Sequence, residues 1–544
     1  MSSVPDYGAI IIGGGHNGLI CATYLAKAGI KVVVLEARSS VGGNAATEVA
    51  LGGARVNICN CDHTMVRATP IIEELGLAKH GLRYINADIV QTNIHWDGGP
   101  AWVQFHDVAR TLDGLGHTYP GEVANYSAYL KDALPVARLV VDVANDAPTP
   151  GTVIPKVLRR RVAGVSTMLH WAKQSVGDVM RKYFDSDQLR APLITTGPAV
   201  WGLSPETPGT GMGSIGYALR HAVQPGRPVG GSGSLPVAIE AALVEAGGEV
   251  RCNSRVAKIV CEGANVSGVV LESGDIISAP IVVVAADPQA ALVEWLTGAP
   301  PQAAEIIARY KAQARHDGYE AKVDAVVDQP YTFNAMSDEL TRVLGVSHDD
   351  VRNATSIVSP SLSDMATSFE LKGRGVIADQ PMFFSNSPSV KDPTLAADLA
   401  AGSNVFSIEV LWTPYDLHGG WEGTGEPERW LRTFGRLVTT QSGLPFRNTV
   451  RDWRLMGPRE YEQQFSMVRG YAPSFAGTPV SALLGKDPEL TRYSTPVGGL
   501  FLTGAATFPG AGVWGASGRN AATAILASDS RSAKARRAVV AATA

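Results

Sequence analysis

The chain has 544 residues, with 47 Lys and Arg against 51 Asp and Glu, so its formal net charge is −4. Hydrophobic residues make up 45% of the sequence and charged residues 18%, which supplies a large core and disfavours a general nucleic-acid binder. No disulfide framework or metal site is expected, because the five cysteines are scattered, no CxxC pair occurs and the histidines form no cluster. Without a signal-peptide pattern or a run of about 18 apolar residues, the expected location is cytoplasmic.

The first forty residues predict a βαβ unit. Ala9–Ile12 is a short, continuous apolar run, typical of a buried parallel strand. A helix is predicted over Leu19–Ala28 and is ended by Gly29. A second strand is predicted over Ile30–Leu35, with Glu36 at its end.

Further elements are predicted in chain order. Residues 120–200 are expected to be mainly helical, and Gly202–Gly233, rich in Gly, Pro and Ser, to be a long connector or binding loop. Ser234 is the expected N-cap of a helix that ends near Ala246. Strands and a last helix complete the prediction: Val250–Cys261, Val266–Glu272, Asp275–Ala285, Asn404–Trp412, Leu500–Leu502 and the helix Ala516–Ala527.

The turn between the first strand and the first helix carries a dinucleotide fingerprint. Gly13-x-Gly15-x-x-Gly18 follows a strand, opens a helix and is followed by Glu36 about 20 residues on. The glycines let the backbone approach a pyrophosphate, and the free N–H groups of the helix N-terminus favour its negative charge. Glu36 is expected to accept hydrogen bonds from ribose hydroxyls. A tight turn without a ligand is the alternative.

A second glycine turn follows Glu36 in the segment Glu36-Ala37-Arg38-x-x-x-Gly42-Gly43. Its spacing resembles the flavoprotein extension of monoamine oxidases and phytoene desaturases. In those proteins the Arg and the paired glycines lie along the FAD pyrophosphate and ribityl chain. An ordinary loop is the alternative.

Other motifs resemble the phytoene desaturase-like family, and its pyridine-nucleotide-disulfide-oxidoreductase-domain-2-like branch in particular. They are His16–Leu19, Val34–Ala37, Val229–Pro236, Ala285–Pro288, Phe501–Val513 and Gly518–Ala522. The resemblance implies FAD as cofactor and an α/β fold: a Rossmann-type, discontinuous FAD-binding domain over 1–80, 225–300 and 485–530. It implies a mixed α+β substrate domain over 81–224 and 301–484, followed by a flexible tail over 531–544.

The fingerprint and the resemblance together predict the cofactor site. The predicted cofactor-binding residues are Gly13, Gly15, His16, Asn17, Gly18, Glu36, Ala37, Arg38, Gly42, Gly43, Asn44, Val256, Gly504, Ala505, Gly512, Val513, Trp514 and Asn520. Trp514 is also a candidate pocket residue, because it sits inside the C-terminal motif. His63 is the candidate catalytic acid or base, since it resembles a His often found beside the flavin in the family; a structural histidine is the alternative.

The resemblance implies FAD-dependent removal of two hydrogens from a largely apolar organic substrate, of isoprenoid or carotenoid-like type. Amine or alcohol oxidation with oxygen, flavin-dependent isomerisation, and non-redox binding of lipid or prenyl groups, as in the GDP-dissociation-inhibitor family, stay open. Arg159-Arg160-Arg161, among apolar residues, indicates either a peripheral membrane contact or a solvated helix side. The sequence leaves a homo-oligomer open and predicts no nucleic-acid partner.

Overall fold

The computed structural model describes residues 5–59, 61–318 and 320–528. The predicted tail over 531–544 lies outside the described residues. Within them no helix is long and apolar enough to cross a membrane. All five cysteines are free thiols.

A five-stranded parallel sheet forms the centre of the first part of the fold. Its strands, in spatial order, are Leu500–Leu502, Val282–Val284, Ala9–Ile12, Val32–Leu35 and Glu249–Arg251. Apolar clusters cover both faces, which explains why the first four strands are continuous apolar runs. The carboxyl ends of parallel strands meet at one edge, so the glycine motifs after the strands lie together there.

The predicted βαβ unit is present, with shifted boundaries. The helix runs over His16–Lys27, three residues earlier than expected at its start, because the glycine turn itself leads into the helix. The second strand is Val32–Leu35 rather than 30–35. Gly29, with φ of 87°, reverses the chain, and the Ile30 N–H still bonds back to Leu25 O at 3.1 Å.

Two predicted strands are divided between sheets. The run over 250–261 breaks near Asn253, whose φ is 53°, and the run over 275–285 breaks at Pro280, which has no N–H for a sheet ladder. Glu249–Arg251 and Val282–Val284 join the parallel sheet, whereas Val256–Glu262 and Ile276–Ser278 belong to a second sheet. This second sheet is antiparallel, apart from one short parallel strand at its edge. The strands of this second sheet are Ile276–Ser278, Asn265–Leu271, Val256–Glu262 and Leu296–Thr297.

A seven-stranded sheet lies in the ranges predicted for the substrate domain. Its strands, in spatial order, are Val450–Met456, Glu320–Val327, Asn404–Leu411, Phe383–Asn386, Thr355–Ser359, Ile89–His95 and Trp102–Phe105. One face packs on an apolar cluster that includes Val323, Ile408 and Phe434. The opposite face meets the strand Ala54–Asn57, where Lys322 Nζ donates to Asn57 O. Three strand pairs complete the sheets: Thr47–Ala50 with Ala54–Asn57, Tyr84–Asn86 with Gly226–Pro228, and Tyr331–Phe333 with Val438–Thr440.

A helical layer covers one end of the large sheet, as predicted for residues 120–200. Its helices are Val108–Thr118, Val123–Ala144, Pro150–Arg159, Val165–Trp171, Val176–Tyr183, Asp187–Thr195 and Gly216–Ala222. The predicted connector over 202–233 therefore contains a helix and a strand. Ser234 is not an N-cap: it is the first residue of the helix Ser234–Glu245, and its hydroxyl donates to Val229 O at 2.7 Å.

Shorter helices fill the remaining connections. They are Ile71–Glu74, Ala304–Ala312, Asp338–Leu344, His348–Asn353, Leu362–Gly373, Glu426–Phe434, Pro458–Phe465, Pro479–Leu484 and Pro488–Thr491, with a π-helical segment over Ala290–Trp295. The described part of the chain ends in a helix over 516–528, close to the prediction. The domain boundaries stay a prediction. All strands of the five-stranded sheet lie in the ranges predicted for the FAD-binding domain, and all strands of the seven-stranded sheet lie in those predicted for the substrate domain.

Candidate functional site

The fingerprint glycines serve different purposes in the first turn. A Cβ on Gly18 would lie 2.2 Å from Gly13 O, so only glycine lets the helix start close to the strand end. Gly13 has φ of 103°, a conformation that favours glycine. A Cβ on Gly15, in contrast, would meet no atom within 4 Å. Gly13 and Gly18 therefore shape the turn, and Gly15 leaves open space in front of the helix N-terminus.

The second glycine turn lies directly against the first. The Gly42 N–H donates to Gly14 O at 2.9 Å, and Gly15 and Gly42 form a β-bridge. Gly42 has φ of 125° and Gly43 has φ of 53°. The two turns form one continuous stretch of close-packed backbone.

Glu36 is held beside these turns by two backbone donors. Its Oε2 accepts from the Gly14 N–H at 2.7 Å, and its Oε1 accepts from the Arg38 N–H at 2.8 Å. The side chain is almost fully buried, yet it borders the cleft described next. Since each carboxylate oxygen can accept more than one hydrogen bond, Glu36 keeps acceptor capacity on the cleft side.

A cleft with an empty volume of about 1240 Å³, part of it open to solvent, runs over both turns. Fourteen of the predicted cofactor-binding residues line it: Gly13, Gly15, His16, Asn17, Gly18, Glu36, Ala37, Arg38, Gly42, Gly43, Asn44, Val256, Gly504 and Ala505. Sequence reasoning missed the lining residues Ser254, Arg255, Ala285–Asp287, Trp295, Phe465–Met467 and Tyr471–Pro473. Ala285–Asp287 carried a signal, the strand-end motif, whereas the segment 465–473 carried none.

Four of the predicted residues lie outside the lining of the cleft. Gly512, Val513, Trp514 and Asn520 are absent from its lining. Trp514 is buried against Ala144 and Ala516, and the Asn520 side-chain amide donates to Ala144 O at 3.1 Å. The C-terminal motif therefore docks onto the end of the helix Val123–Ala144, which removes these side chains from the cleft.

His63 is also enclosed, and both ring nitrogens have partners. Its Nδ1 lies 3.0 Å from the Tyr84 hydroxyl and its Nε2 lies 2.8 Å from the Ser232 hydroxyl. Burial lowers the pKa of His63 to about 3, so the imidazole is neutral at physiological pH. An unshifted histidine titrates near pH 6.5, so burial moves His63 out of the range in which an acid or base usually works. Its hydrogen bonds connect three segments of the chain through one neutral ring.

A buried cation lies on the face of the seven-stranded sheet that turns toward the glycine turns. Lys322 Nζ donates to Asn57 O at 2.7 Å, to the Ser407 hydroxyl at 3.3 Å and to Asp324. Asp324 has no exposed surface. Sequence reasoning missed this group, although Glu320, Lys322 and Asp324 alternate along one strand, a pattern that indicates a polar sheet face.

Two carboxyl groups flank Lys322 on the same face. Glu409 is paired with Lys322 in the sheet register, and Glu320 lies two residues before Lys322. Burial raises the pKa of Glu320. Burial first, and the nearby Glu320 carboxyl second, raise the pKa of Glu409 well above its usual value. Two such groups favour sharing one proton.

Glu409 belongs to a group of side chains that are only partly buried. Its surface is partly accessible, although protein atoms surround it. The same is true of Cys59 and Cys61, and burial raises the pKa of both thiols. Phe384, paired with Glu409 across the sheet, is only partly buried. We refer to the region around these four partly buried side chains as the inner chamber.

A chain of alternating charges connects the inner chamber to the cleft. Arg454 donates to Asp324 and to Glu48, both at 3.2 Å, and Glu48 also pairs with Arg38 on the cleft lining. Arg38 Nη1 is buried and lacks a hydrogen-bond partner in the part of the chain that the structure describes. A donor without a partner at the cleft wall suits an anionic ligand.

Parts of this chain are similar to known families of redox proteins. The model of the NAD(P)-binding Rossmann-like domain matches residues 11–67, and that of the flavin containing amine oxidoreductases matches residues 169–315. The chain is 26% identical over 564 residues to pyridine nucleotide-disulfide oxidoreductase domain-containing protein 2 of Rattus norvegicus, covering 95% of this chain and 93% of that protein. It is 24% identical over 532 residues to the lycopene-forming phytoene desaturase of Pantoea ananas, covering 95% and 98%.

A solved structure of a putrescine oxidase triple mutant has the same fold, with a TM-score of 0.60, 18% identity, and coverage of 96% of this chain and 99% of that one. The chain is an FAD-dependent oxidoreductase, and over residues 169–315 it is similar to the flavin containing amine oxidoreductases. The cleft fits FAD through three features: the open space in front of Gly15, the remaining acceptor capacity of Glu36 and the unpartnered Arg38 Nη1. These residues would hold the pyrophosphate and a ribose.

Proposed function

We propose that this oxidoreductase removes two hydrogens from a largely apolar organic substrate, as a dehydrogenase or desaturase. The observation that carries the proposal is the internal charge balance beside the inner chamber. The cations are Lys322, Arg454 and Arg38, and the anions are Asp324, Glu48 and the Glu320/Glu409 pair.

When the carboxyl pair shares one proton, these three cations face three negative charges. No surplus charge is then left to attract an ionic substrate, and an apolar molecule can occupy the chamber without leaving a buried charge unpaired. The chamber walls agree with this, since Phe384 and the two thiols of Cys59 and Cys61 offer apolar or weakly polar surface. The full-length similarity to a phytoene desaturase adds support.

FAD, when bound, accepts a hydride from a substrate carbon. Forming a double bond also requires a proton to leave the neighbouring carbon. The Glu320/Glu409 pair is suited to accept it at a carboxylate oxygen, because burial raises the pKa of both groups and the nearby Glu320 carboxyl raises the pKa of Glu409 further. Lys322, fixed by Asn57 O and Asp324, holds a positive charge next to the pair and limits that rise.

The test is anaerobic flavin reduction by two substrate classes. The holoenzyme is mixed with an olefinic isoprenoid hydrocarbon in detergent micelles, and separately with a long-chain primary amine. The proposal expects loss of oxidised-flavin absorbance with the hydrocarbon and a product two hydrogens lighter by mass spectrometry. Reduction by the amine alone would overturn it.

Oxidation of a primary amine is the second candidate, and the carboxyl pair is the observation that favours it. If both Glu320 and Glu409 ionise, the chamber carries one surplus negative charge and suits an ammonium group. Glu409→Gln separates the two functions: it should raise KM for an amine, but lower the rate of flavin reduction by a hydrocarbon with little change in KM.

A double bond that moves without net reduction of the flavin would indicate an isomerase. Binding of a prenyl lipid without any turnover would indicate a carrier.

A further inference from the structure

The helical layer exposes apolar side chains on the helix Pro150–Arg159. None of the ten residues of this helix is buried. Ile154 and Leu158, one turn apart, are 51% and 64% exposed, and Val162 just beyond the helix is 57% exposed. A helix that buries nothing and shows two apolar residues at i and i+4 has an unpartnered apolar face.

A second short helix enlarges this surface. The helix Pro479–Leu484 contacts the helix Pro150–Arg159 and exposes Val480 and Leu484, the latter by 78%. We refer to Ile154, Leu158, Val162, Val480 and Leu484 as the apolar patch. Exposed apolar side chains on two contacting helices indicate an interaction site.

The surroundings of the apolar patch are strongly basic. Residues 131–173 hold seven Lys and Arg against three Asp and Glu, a net charge of +4 in a chain whose total is −4. Arg138, Arg159 and Arg160 line a surface recess next to the patch helix. Asp142 pairs with Arg159 at 3.1 Å and with Arg160 at 2.6 Å, so it neutralises one of these two charges.

Two further cations near the recess have no acidic partner. Among the residues that the structure describes, neither Arg138 nor Arg161 forms an ion pair. The recess and its rim therefore carry three positive charges without a matching anion. Apolar side chains beside unpaired arginines suit a surface that is anionic outside and apolar just beneath, which is the arrangement of a lipid bilayer with acidic headgroups.

The apolar patch lies on elements that reach the cofactor site. The helix Val123–Ala144, on which the patch helix packs, ends against Trp514 of the C-terminal motif. The segment 471–473 lines the cleft and leads, a few residues later, into the helix Pro479–Leu484. One of the two patch helices therefore follows a segment of the cleft lining closely in the chain.

We propose that the apolar patch and its arginines seat this protein on an anionic membrane surface. Ile154, Leu158 and Leu484 enter the boundary between headgroups and acyl chains, while Arg138 and Arg161 contact lipid phosphates. This docking is independent of the reaction proposed above, because it depends only on the exposed surface. It would give a lipid-dissolved substrate a short route to the protein.

The test is co-sedimentation of the holoenzyme with vesicles of phosphatidylcholine alone or with added phosphatidylglycerol. We expect binding to the phosphatidylglycerol vesicles that weakens as salt is raised, because exposed charges are screened. The double variant Ile154→Asp, Leu158→Asp should bind at least tenfold more weakly. Ile276→Asp is the matched control: Ile276 is 73% exposed on a different sheet, and its change should leave binding unaltered.

A separate pair of variants tests the charges. Arg138→Gln with Arg161→Gln should lower binding to phosphatidylglycerol vesicles and flatten the salt dependence. Flavin content and thermal unfolding of every variant should match the unmodified protein, since all altered side chains are at the surface. Equal binding of the Ile154→Asp, Leu158→Asp variant and the control would overturn the proposal. So would no binding of the unmodified protein, or a dimer by light scattering that only the patch variant abolishes.

Discussion

Gly15 and Gly18 belong to the same motif, but the structure predicts opposite consequences for their replacement. Gly15 has φ of −70° and ψ of 165°, which any residue adopts, and an added Cβ would point into open space. Gly15→Val should therefore leave the unfolding free energy within about 1 kcal/mol of the unmodified protein. Its side chain would occupy the space of the FAD pyrophosphate at the helix N-terminus. Losing one or two charge-assisted hydrogen bonds there costs about 3 kcal/mol, or about 10²-fold in Kd.

Gly18→Ala is the contrasting variant. Its Cβ would lie 2.2 Å from Gly13 O and 3.0 Å from the Ala285 side chain, so the turn itself must move. We expect it to lose about 1–3 kcal/mol of stability as well as FAD. The assay is FAD titration of apoprotein by flavin fluorescence, with urea unfolding of the same samples. Gly15→Val that binds FAD with unchanged affinity would refute the placement of the pyrophosphate.

Three further predictions concern titratable groups. Glu36→Ala should weaken FAD affinity by about 1–3 kcal/mol in the same titration, since it removes a charged acceptor; unchanged affinity would exclude Glu36 from the site. Because the pKa of His63 is lowered to about 3, the unfolded chain takes up a proton below about pH 6.5 and the folded chain does not, so stability falls as pH falls. That loss reaches about 2 kcal/mol at pH 5 in urea unfolding, and His63→Gln should lack it; an identical pH dependence would contradict the burial argument. Glu409→Gln should slow anaerobic flavin reduction by a hydrocarbon about 10²–10⁴-fold while FAD content stays normal, and an unchanged rate would remove the carboxyl pair from the reaction.

Short sequence patterns predicted the part of the site that is built from neighbouring residues in the chain. The strand Ala9–Ile12, the two glycine turns and Glu36 lie within about forty residues, and each follows from residue type and spacing. The resemblance added Gly504 and Ala505, which also line the cleft. It could not reveal that the helix Val123–Ala144 ends against Trp514, whose contact with the cofactor stays a prediction.

The inner chamber shows why the rest could not be predicted. Glu320, Lys322 and Asp324 alternate as on a half-solvated strand, and in most sheets such a face meets water. Here Asn57, more than 260 positions earlier in the chain, covers Lys322. Which distant segment covers a polar face depends on the tertiary fold. The same is true of His63, whose low pKa follows from burial beside Tyr84 and Ser232.

Glu48 offers the most direct test of the link between the cleft and the inner chamber. Its carboxylate pairs with Arg38 on the cleft wall and with Arg454, which in turn reaches Asp324 beside Lys322. Glu48→Gln keeps the shape but removes the anion between two partly buried guanidinium groups, so that Arg38 loses its acidic partner and Arg454 keeps only Asp324. Complete burial would cost about 3–5 kcal/mol, and since these side chains keep about a fifth of their surface exposed, we expect about 2 kcal/mol.

The anionic cofactor changes this expectation in a measurable way. If Arg38 contacts the FAD pyrophosphate, bound FAD supplies negative charge that partly replaces Glu48, so the loss of stability in Glu48→Gln should be smaller in the holoenzyme than in the apoprotein. Urea unfolding of both forms measures the difference, and Val49→Ala, at an exposed position next to Glu48, controls for changes in the strand itself. An equal loss in both forms would show that Arg38 does not contact the cofactor, and would separate the cleft from the charges of the inner chamber.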